Sequence, residues 1–229
     1  MKLSEDTLTR RGFLTVSSVA AATALAQSPV ESGSKNNICV FTKPFNSLSF
    51  DKLSDRVAEL GFSGIEAPIR AGGHVEPTEV EDRLPALVEA LGKRKLEITI
   101  LASDVNDPND PLTKRVLRTA ATLGIKRYRM KYLKYDLKDS VEEQIEFWRP
   151  QMRELAAMNH DYGIQGLYQN HAGTQHMGAA LWDLKELLRD IPVEDLGVAY
   201  DIRHATVEGA TSWPITFNAI RPHIAAVYV

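Results

Sequence analysis

Short apolar runs alternate with amphipathic stretches from residue 38 to the end of the chain. The runs are typical of buried parallel strands, and the stretches repeat apolar residues at helical spacing, as Phe50, Leu53, Val57 and Leu60 do. The pattern predicts strands at 38–41, 64–69, 96–102, 126–133, 164–169, 196–201 and 224–229. It predicts helices between them at 50–60, 79–95, 112–124, 140–163, 181–191 and 213–222.

Regular alternation of strand and helix indicates an α/β protein with a parallel sheet and right-handed crossovers. An open doubly wound sheet and a (β/α)8 TIM barrel both satisfy this rule. No glycine-rich phosphate-binding loop follows the first strand, where the sequence is TKPFNS (42–47), and this disfavours a dinucleotide-binding sheet. The even unit length of about 30 residues favours the barrel. Because the sequence stops on the seventh strand, we expect a barrel that is C-terminally truncated after strand seven.

The first 26 residues have the layout of an export signal. Arg10 and Arg11 precede a weakly hydrophobic stretch that ends in Ala24-Leu25-Ala26, a cleavage-site pattern. The paired arginines resemble a twin-arginine signal, and the stretch is too short to span a membrane comfortably. The predicted organisation is therefore a signal peptide (1–26), a linker (27–36) and a barrel domain (37–229), with the mature protein periplasmic and free of the membrane.

Charge and cysteine content exclude several classes of protein. The net charge is −3 and no long basic run occurs, which argues against nucleic acid and anionic membranes as partners. Cys39 is the single cysteine, so no internal disulfide can form. It lies in an apolar run and is interpreted as a core residue.

In a TIM barrel, chemistry takes place where strands end and the following loops begin. Asp201 ends strand six and His204 lies in the loop beyond it, so the pair could bind a metal ion or a substrate. Alternatively, Asp201 caps the next turn and His204 bonds to the backbone. Glu66 lies inside an apolar strand, where a carboxylate is unfavourable unless it is paired or functional.

The remaining strand ends also carry polar residues. Gln169, Asn170 and His171 end strand five and either line a pocket or form a turn. Lys131 near the end of strand four could bind a sugar oxygen or a carboxylate, or could be a solvated charge. His74 follows a glycine pair in a loop that either contacts a ligand or is simply flexible. We interpret the other histidines, at positions 160, 176 and 223, as surface or structural residues.

Three segments together resemble the xylose-isomerase-like barrel superfamily, in its sugar phosphate isomerase/epimerase group. They are GFSGIEAPIRAGGHV (61–75), YQNHAG (168–173) and YDIRHATVEG (200–209). The resemblance implies an enzyme acting on a sugar or polyol with a divalent metal (Mn, Mg, Co or Zn). It also implies that Asp201 is a metal ligand and that His204 contacts the substrate.

The sequence departs from the metal pattern of that group at two positions. Gln169 stands where a metal-binding Glu is expected and Tyr228 where a His is expected, while the Glu of strand eight would lie beyond residue 229. His171 could replace one ligand. The assignment is therefore catalytic His204, Glu66 and Lys131; substrate-binding His74, Gln169, Asn170 and Tyr228; and metal-binding Asp201 and His171.

These observations predict an exported sugar isomerase, epimerase or related lyase that binds a small-molecule carbohydrate, with the oligomeric state left open. The alternative is a non-catalytic carbohydrate-binding barrel that has lost part of its metal site. A third candidate is a multi-zinc phosphodiesterase like the apurinic endonucleases, which share this fold. Six histidines and an acidic chain disfavour it, because such sites need many ligands.

Overall fold

A computed structural model describes residues 37–229, and the predicted signal peptide and linker lie outside them. The strands of this region form one parallel sheet whose spatial order follows the sequence order from β1 to β7. Each strand lies beside its predecessor, as in the first seven units of a TIM barrel, which confirms the predicted fold class. The strands are β1 (Cys39–Phe41), β2 (Gly64–Ile69), β3 (Glu97–Ser103), β4 (Arg127–Arg129), β5 (Gln165–Gln169), β6 (Leu196–Asp201) and β7 (Ile224–Tyr228).

Helices connect the strands, and all six predicted helices are present. Within residues 37–229 no helix is both long and apolar enough to cross a membrane. The α-helices are α1 (Phe50–Glu59), α2 (Val80–Gly92), α3 (Pro111–Thr122), α4 (Val141–Tyr162), α5 (Trp182–Leu188), α6 (Ile202–Gly209) and α7 (Trp213–Ile220).

Two elements differ from the sequence prediction. The segment Ile202–Gly209 was predicted as a loop but forms α6, which begins directly after β6 because the Asp201 side chain accepts a hydrogen bond from the backbone of His204. Only Ala205 of this helix is buried, so the segment has no run of core-facing residues from which to predict a helix. Strand β4 is also shorter than the predicted 126–133, since only residues 127–129 pair as a strand.

The apolar core has two parts, one on each face of the sheet. The larger part packs the outer face of the strands against the helices, and it includes Ile65, Tyr128, Tyr168 and Val198. The smaller part, Ile100, Leu167 and Ala199, lies on the opposite, inner face. Because side chains alternate along a strand, residues two positions from these share the inner face.

This alternation places polar side chains at the inner face near the carboxyl ends of the strands. Gln169 follows Leu167 by two residues on β5, and Asp201 follows Ala199 by two on β6. Glu66 is paired with Ile100, and Arg129 with Leu167. The apolar inner cluster therefore lies below a layer of polar residues at the mouth of the sheet.

Candidate functional site

Glu66 and Arg129 form an ion pair at the inner face. The distance from Arg129 Nε to Glu66 Oε1 is 2.6 Å, and the two residues are only 6% and 2% exposed. Burial disfavours the guanidinium charge, but the adjacent carboxylate reverses this and raises the pKa of Arg129. The Arg129 Cζ also lies 5.3 Å from the centre of the Phe41 ring. The buried carboxylate predicted for strand two is therefore present as half of an ion pair.

Gln169 connects this ion pair to Asp201. Its Oε1 atom accepts hydrogen bonds from Arg129 Nη1 at 3.0 Å and from the Tyr132 hydroxyl at 2.6 Å. Its amino group donates to Asp201 Oδ2 at 2.8 Å. A continuous polar chain thus runs across the mouth from β2 through β4 and β5 to β6.

Both carboxylate oxygens of Asp201 accept hydrogen bonds, and the Asn170 side chain holds the Asp201 backbone in place. Oδ1 accepts from the His204 backbone N–H at 2.9 Å, which caps α6. Oδ2 lies 3.7 Å from His204 Nε2 in addition to its bond with Gln169. Asn170 clamps the Asp201 backbone on both sides, because its Oδ1 accepts from the N–H at 2.7 Å and its Nδ2 donates to the carbonyl at 3.0 Å. Asp201 therefore both caps a helix and faces the mouth.

His204 belongs to a cluster of aromatic rings above this chain. Its ring centre is 4.0 Å from that of His171, which in turn lies 5.0 Å from both Tyr132 and His176. Burial lowers the pKa of His204, and His171 and Arg203 add to this, while Asp201 opposes it. The His204 imidazole is therefore mostly neutral near pH 7 and able to accept a proton.

His176, which the sequence analysis interprets as a surface or structural residue, packs into this ring cluster. Its ring is half-buried and lies 5.3 Å from the Tyr132 ring as well as beside His171. Its Nδ1 would lie 2.5 Å from a Cβ on Gly173, so only glycine leaves room for the ring. Burial lowers the pKa of His176. The residue is part of the candidate site.

The other residues predicted for the site occupy varied environments. Tyr228 on β7 lies close to Glu66, and burial followed by that carboxylate raises the pKa of its hydroxyl. His74 is buried, and its Nε2 lies 2.9 Å from the Thr42 hydroxyl, which itself donates to the Glu66 carbonyl. Lys131 is exposed just after β4. His74 is thus enclosed by protein groups, whereas Lys131 is open to solvent.

Sequence reasoning did not assign two residues that organise the site, Arg129 and Tyr132. The signal for Arg129 was the unusual charge of strand four, since an arginine in a buried strand needs a partner as much as Glu66 does. No local pattern identifies Tyr132, because it lies three residues beyond β4 and meets Gln169 only through the fold.

The donor atoms in the described part of the chain do not fit a divalent metal. No group of three or more His, Cys, Asp or Glu side chains in residues 37–229 is arranged to hold one. Gln169, at one of the ligand positions that the resemblance implies, already accepts two hydrogen bonds on its single acceptor atom. Asp201 receives one N–H on each oxygen. His171 directs Nδ1 to the Ala172 carbonyl at 2.8 Å.

Solved structures with the same fold include several sugar-converting enzymes. The 3-keto-D-glucoside 4-epimerase YcjR of E. coli is similar with a TM-score of 0.64, 15% identity, and coverage of 83% of this chain and 77% of that one. The probable 3-DHS dehydratase AsbF of Bacillus anthracis has a TM-score of 0.64 and 20% identity, covering 83% and 72%. A D-tagatose 3-epimerase-like protein has a TM-score of 0.62 and 18% identity, covering 84% and 76%. Identities this low establish the fold alone.

Sequence comparison gives the family. A search of curated protein sequences returned no significant match. Residues 54–229, which make up most of the chain, match the family described as xylose isomerase-like TIM barrel. The parallel strand order and the inner-face site agree with this match. The chain therefore belongs to the xylose isomerase-like TIM barrel family.

Proposed function

We propose that this protein is an exported sugar isomerase or epimerase that acts on a small carbohydrate at the carboxyl ends of its barrel strands. The observation that carries the proposal is the Asp201–His204 pair, in which a neutral imidazole lies 3.7 Å from a fixed carboxylate at the mouth. Similar folds in a 3-keto-D-glucoside 4-epimerase and a D-tagatose 3-epimerase-like protein support the substrate class.

His204 is the residue best suited to move a proton next to a sugar carbonyl. Its lowered pKa keeps the ring neutral, so it can accept a proton near pH 7. Asp201 would stabilise the imidazolium that results, because the carboxylate favours the charged ring. Glu66 is less suited to this role, since it is 2% exposed and paired with Arg129.

Substrate hydroxyls would be bound by the surrounding polar side chains. His171, His176 and Tyr132 form an aromatic wall beside His204, and such rings offer apolar faces and polar edges to a sugar. Tyr228 has a raised pKa and so keeps its proton, which it could donate to a substrate oxygen. No step of this proposal uses a metal, because the donor atoms described above do not fit one.

A non-catalytic carbohydrate-binding barrel is the second candidate. The observation that favours it is that two side chains at the mouth are unsuited to proton transfer. Glu66 is neutralised by Arg129, and Gln169 cannot exchange a proton as a carboxylate would. On this reading the aromatic wall binds a sugar and no proton moves.

A turnover assay on a panel of keto-sugars, aldoses and glycosides tests the proposal and separates the two candidates. His204→Gln is expected to lower turnover by about 10²–10⁴-fold. The control is His160→Gln on the exposed face of α4, which is expected to retain full turnover. Sugar binding without any turnover would favour the binding barrel, and the absence of both binding and turnover would reject both candidates.

Export is a separate proposal that rests on residues 1–26. We propose that this segment is a twin-arginine-type signal that delivers the barrel to the periplasm. It is supported by the order of the arginine pair, the weakly hydrophobic stretch and the small-residue cleavage pattern in the sequence.

A further inference from the structure

The orientation of the Gln169 amide is fixed by its neighbours. The Arg129 guanidinium can only donate hydrogen bonds, so the Gln169 atom 3.0 Å from Nη1 must be the carbonyl oxygen. The amino group then faces Asp201 Oδ2, which it contacts at 2.8 Å. Gln169 therefore presents a donor to Asp201 and an acceptor to Arg129, and the reverse orientation would place two donors together.

Only an uncharged amide satisfies both neighbours in this arrangement. A glutamate at position 169 could accept from Arg129, but it would place a second carboxylate against Asp201 Oδ2. Two carboxylates at that distance cannot both remain ionised unless a cation lies between them, and without one they share a proton. The amino group of Gln169 occupies the place on Asp201 that such a cation would take.

A positive charge is nevertheless present in the site. Arg129 is 6% exposed and is held by Glu66 at 2.6 Å, and a single side chain, that of Gln169, connects it to Asp201. A guanidinium remains protonated at all physiological pH values, and the pKa of Arg129 is raised further by Glu66. The site thus contains a permanent cation held in place by Glu66 of β2 and Gln169 of β5.

We propose that Arg129 is the fixed cation of this site, that Gln169 couples it to Asp201, and that the site operates without a divalent metal. Arg129 and Gln169 act as positioning residues, because they hold Asp201 and through it His204. The inference depends on the proposed function for the location of the site. Its test measures metal binding rather than turnover, so either proposal can fail while the other stands.

The test compares metal binding by the full-length protein and by Gln169→Glu. Mn²⁺ is the probe, because carboxylate oxygens suit it whereas imidazole clusters suit zinc. The wild type is expected to contain no stoichiometric transition metal by mass spectrometry, and its melting temperature should not change with Mn²⁺. Gln169→Glu should gain a Mn²⁺-dependent rise in melting temperature of about 3 °C or more.

The matched control is Gln165→Glu, which adds the same charge at the opposite end of β5, where Gln165 contacts Arg127. It should not respond to Mn²⁺. One equivalent of bound metal in the wild type that is lost in Asp201→Ala would overturn the proposal, and this measurement is valid even if Gln169→Glu does not fold. A Gln169→Glu variant that folds but whose melting temperature does not change with Mn²⁺ would also overturn the proposal. In that case Gln169 would not be the residue that keeps a cation away from Asp201.

Discussion

Glu66 on β2 and Arg129 on β4 are 63 residues apart in sequence and meet at 2.6 Å inside the sheet. Strand β3 lies between their strands, so the two side chains meet across the inner face and not along a shared strand edge. This pair anchors the polar chain that leads through Gln169 to Asp201.

Removing one member of this ion pair should destabilise the fold strongly. Arg129→Met leaves a buried carboxylate without its partner, and we expect the free energy of unfolding to fall by about 3–5 kcal/mol. The double variant Glu66→Met with Arg129→Met should recover part of that loss, because no unpaired charge remains. Urea denaturation measures both effects.

Arg127→Met is the control for this experiment. Arg127 lies two residues before Arg129, is exposed, and bonds only to the Gln165 side chain among the described residues. Its replacement should change the free energy of unfolding by no more than about 0.5 kcal/mol. Equal losses for Arg127→Met and Arg129→Met would show that the buried pair has no special role.

The two roles of Asp201 can be separated by substitution. Asp201→Ala removes the cap of α6 and should lower the free energy of unfolding by about 1 kcal/mol. Asp201→Ser retains a capping oxygen and should restore most of that stability, but it provides no second oxygen for Gln169. Denaturation should therefore rank Ser above Ala, while turnover assays should find both variants impaired, because neither retains the carboxylate that would stabilise a His204 imidazolium. Full turnover by Asp201→Ser would contradict the role assigned to that carboxylate.

The architecture could be predicted from the sequence because the alternation of buried strands and amphipathic helices is a local property. It also placed Asp201, Asn170 and Gln169 at strand ends, where the structure has them. The partners of these residues depend on the closure of the sheet. Arg129 is a charge inside a predicted strand, but nothing local in the sequence identifies Glu66 as its carboxylate partner. The position of His176 beside His171 could not be predicted, because it depends on a loop folded over Gly173.

Protein stability should decrease as the pH falls below the ordinary histidine range. Burial lowers the pKa of His74 from 6.5, although a hydrogen bond with the Thr42 backbone partly opposes this. The unfolded chain therefore binds a proton at a pH where folded His74 does not. The stability linked to His74 is complete above pH 6.5 and is lost as the pH falls through the folded pKa.

His74→Gln should show a smaller decrease in melting temperature than the wild type between pH 7.5 and 5.5. The decrease should not vanish, because the pKa values of His176, His204 and His223 are also lowered by burial. Glutamine can still donate to Thr42, so the variant keeps that hydrogen bond without the titrating ring. Identical pH dependence in the two proteins would mean that His74 does not contribute.

Replacement of the arginine pair tests export. Changing Arg10 and Arg11 to lysine keeps the charge but removes the feature that resembles a twin-arginine signal. Cell fractionation should find the wild type in the periplasm and the double variant in the cytoplasm. The control variant Lys2→Arg, outside the pair, should be exported normally, and normal export of the double variant would refute the twin-arginine assignment.

Solvent hydrogen exchange into a keto-sugar tests the central claim most directly. A base at the mouth that removes a proton next to a carbonyl will exchange it with D₂O, even where product accumulates slowly. With the full-length protein, NMR should detect deuterium at that carbon in at least one sugar of the panel. His204→Gln should slow incorporation by about 10²-fold or more, while His160→Gln should match the wild type. Binding of the same sugars with no incorporation by the wild type, or incorporation that persists unchanged in His204→Gln, would contradict proton transfer by His204.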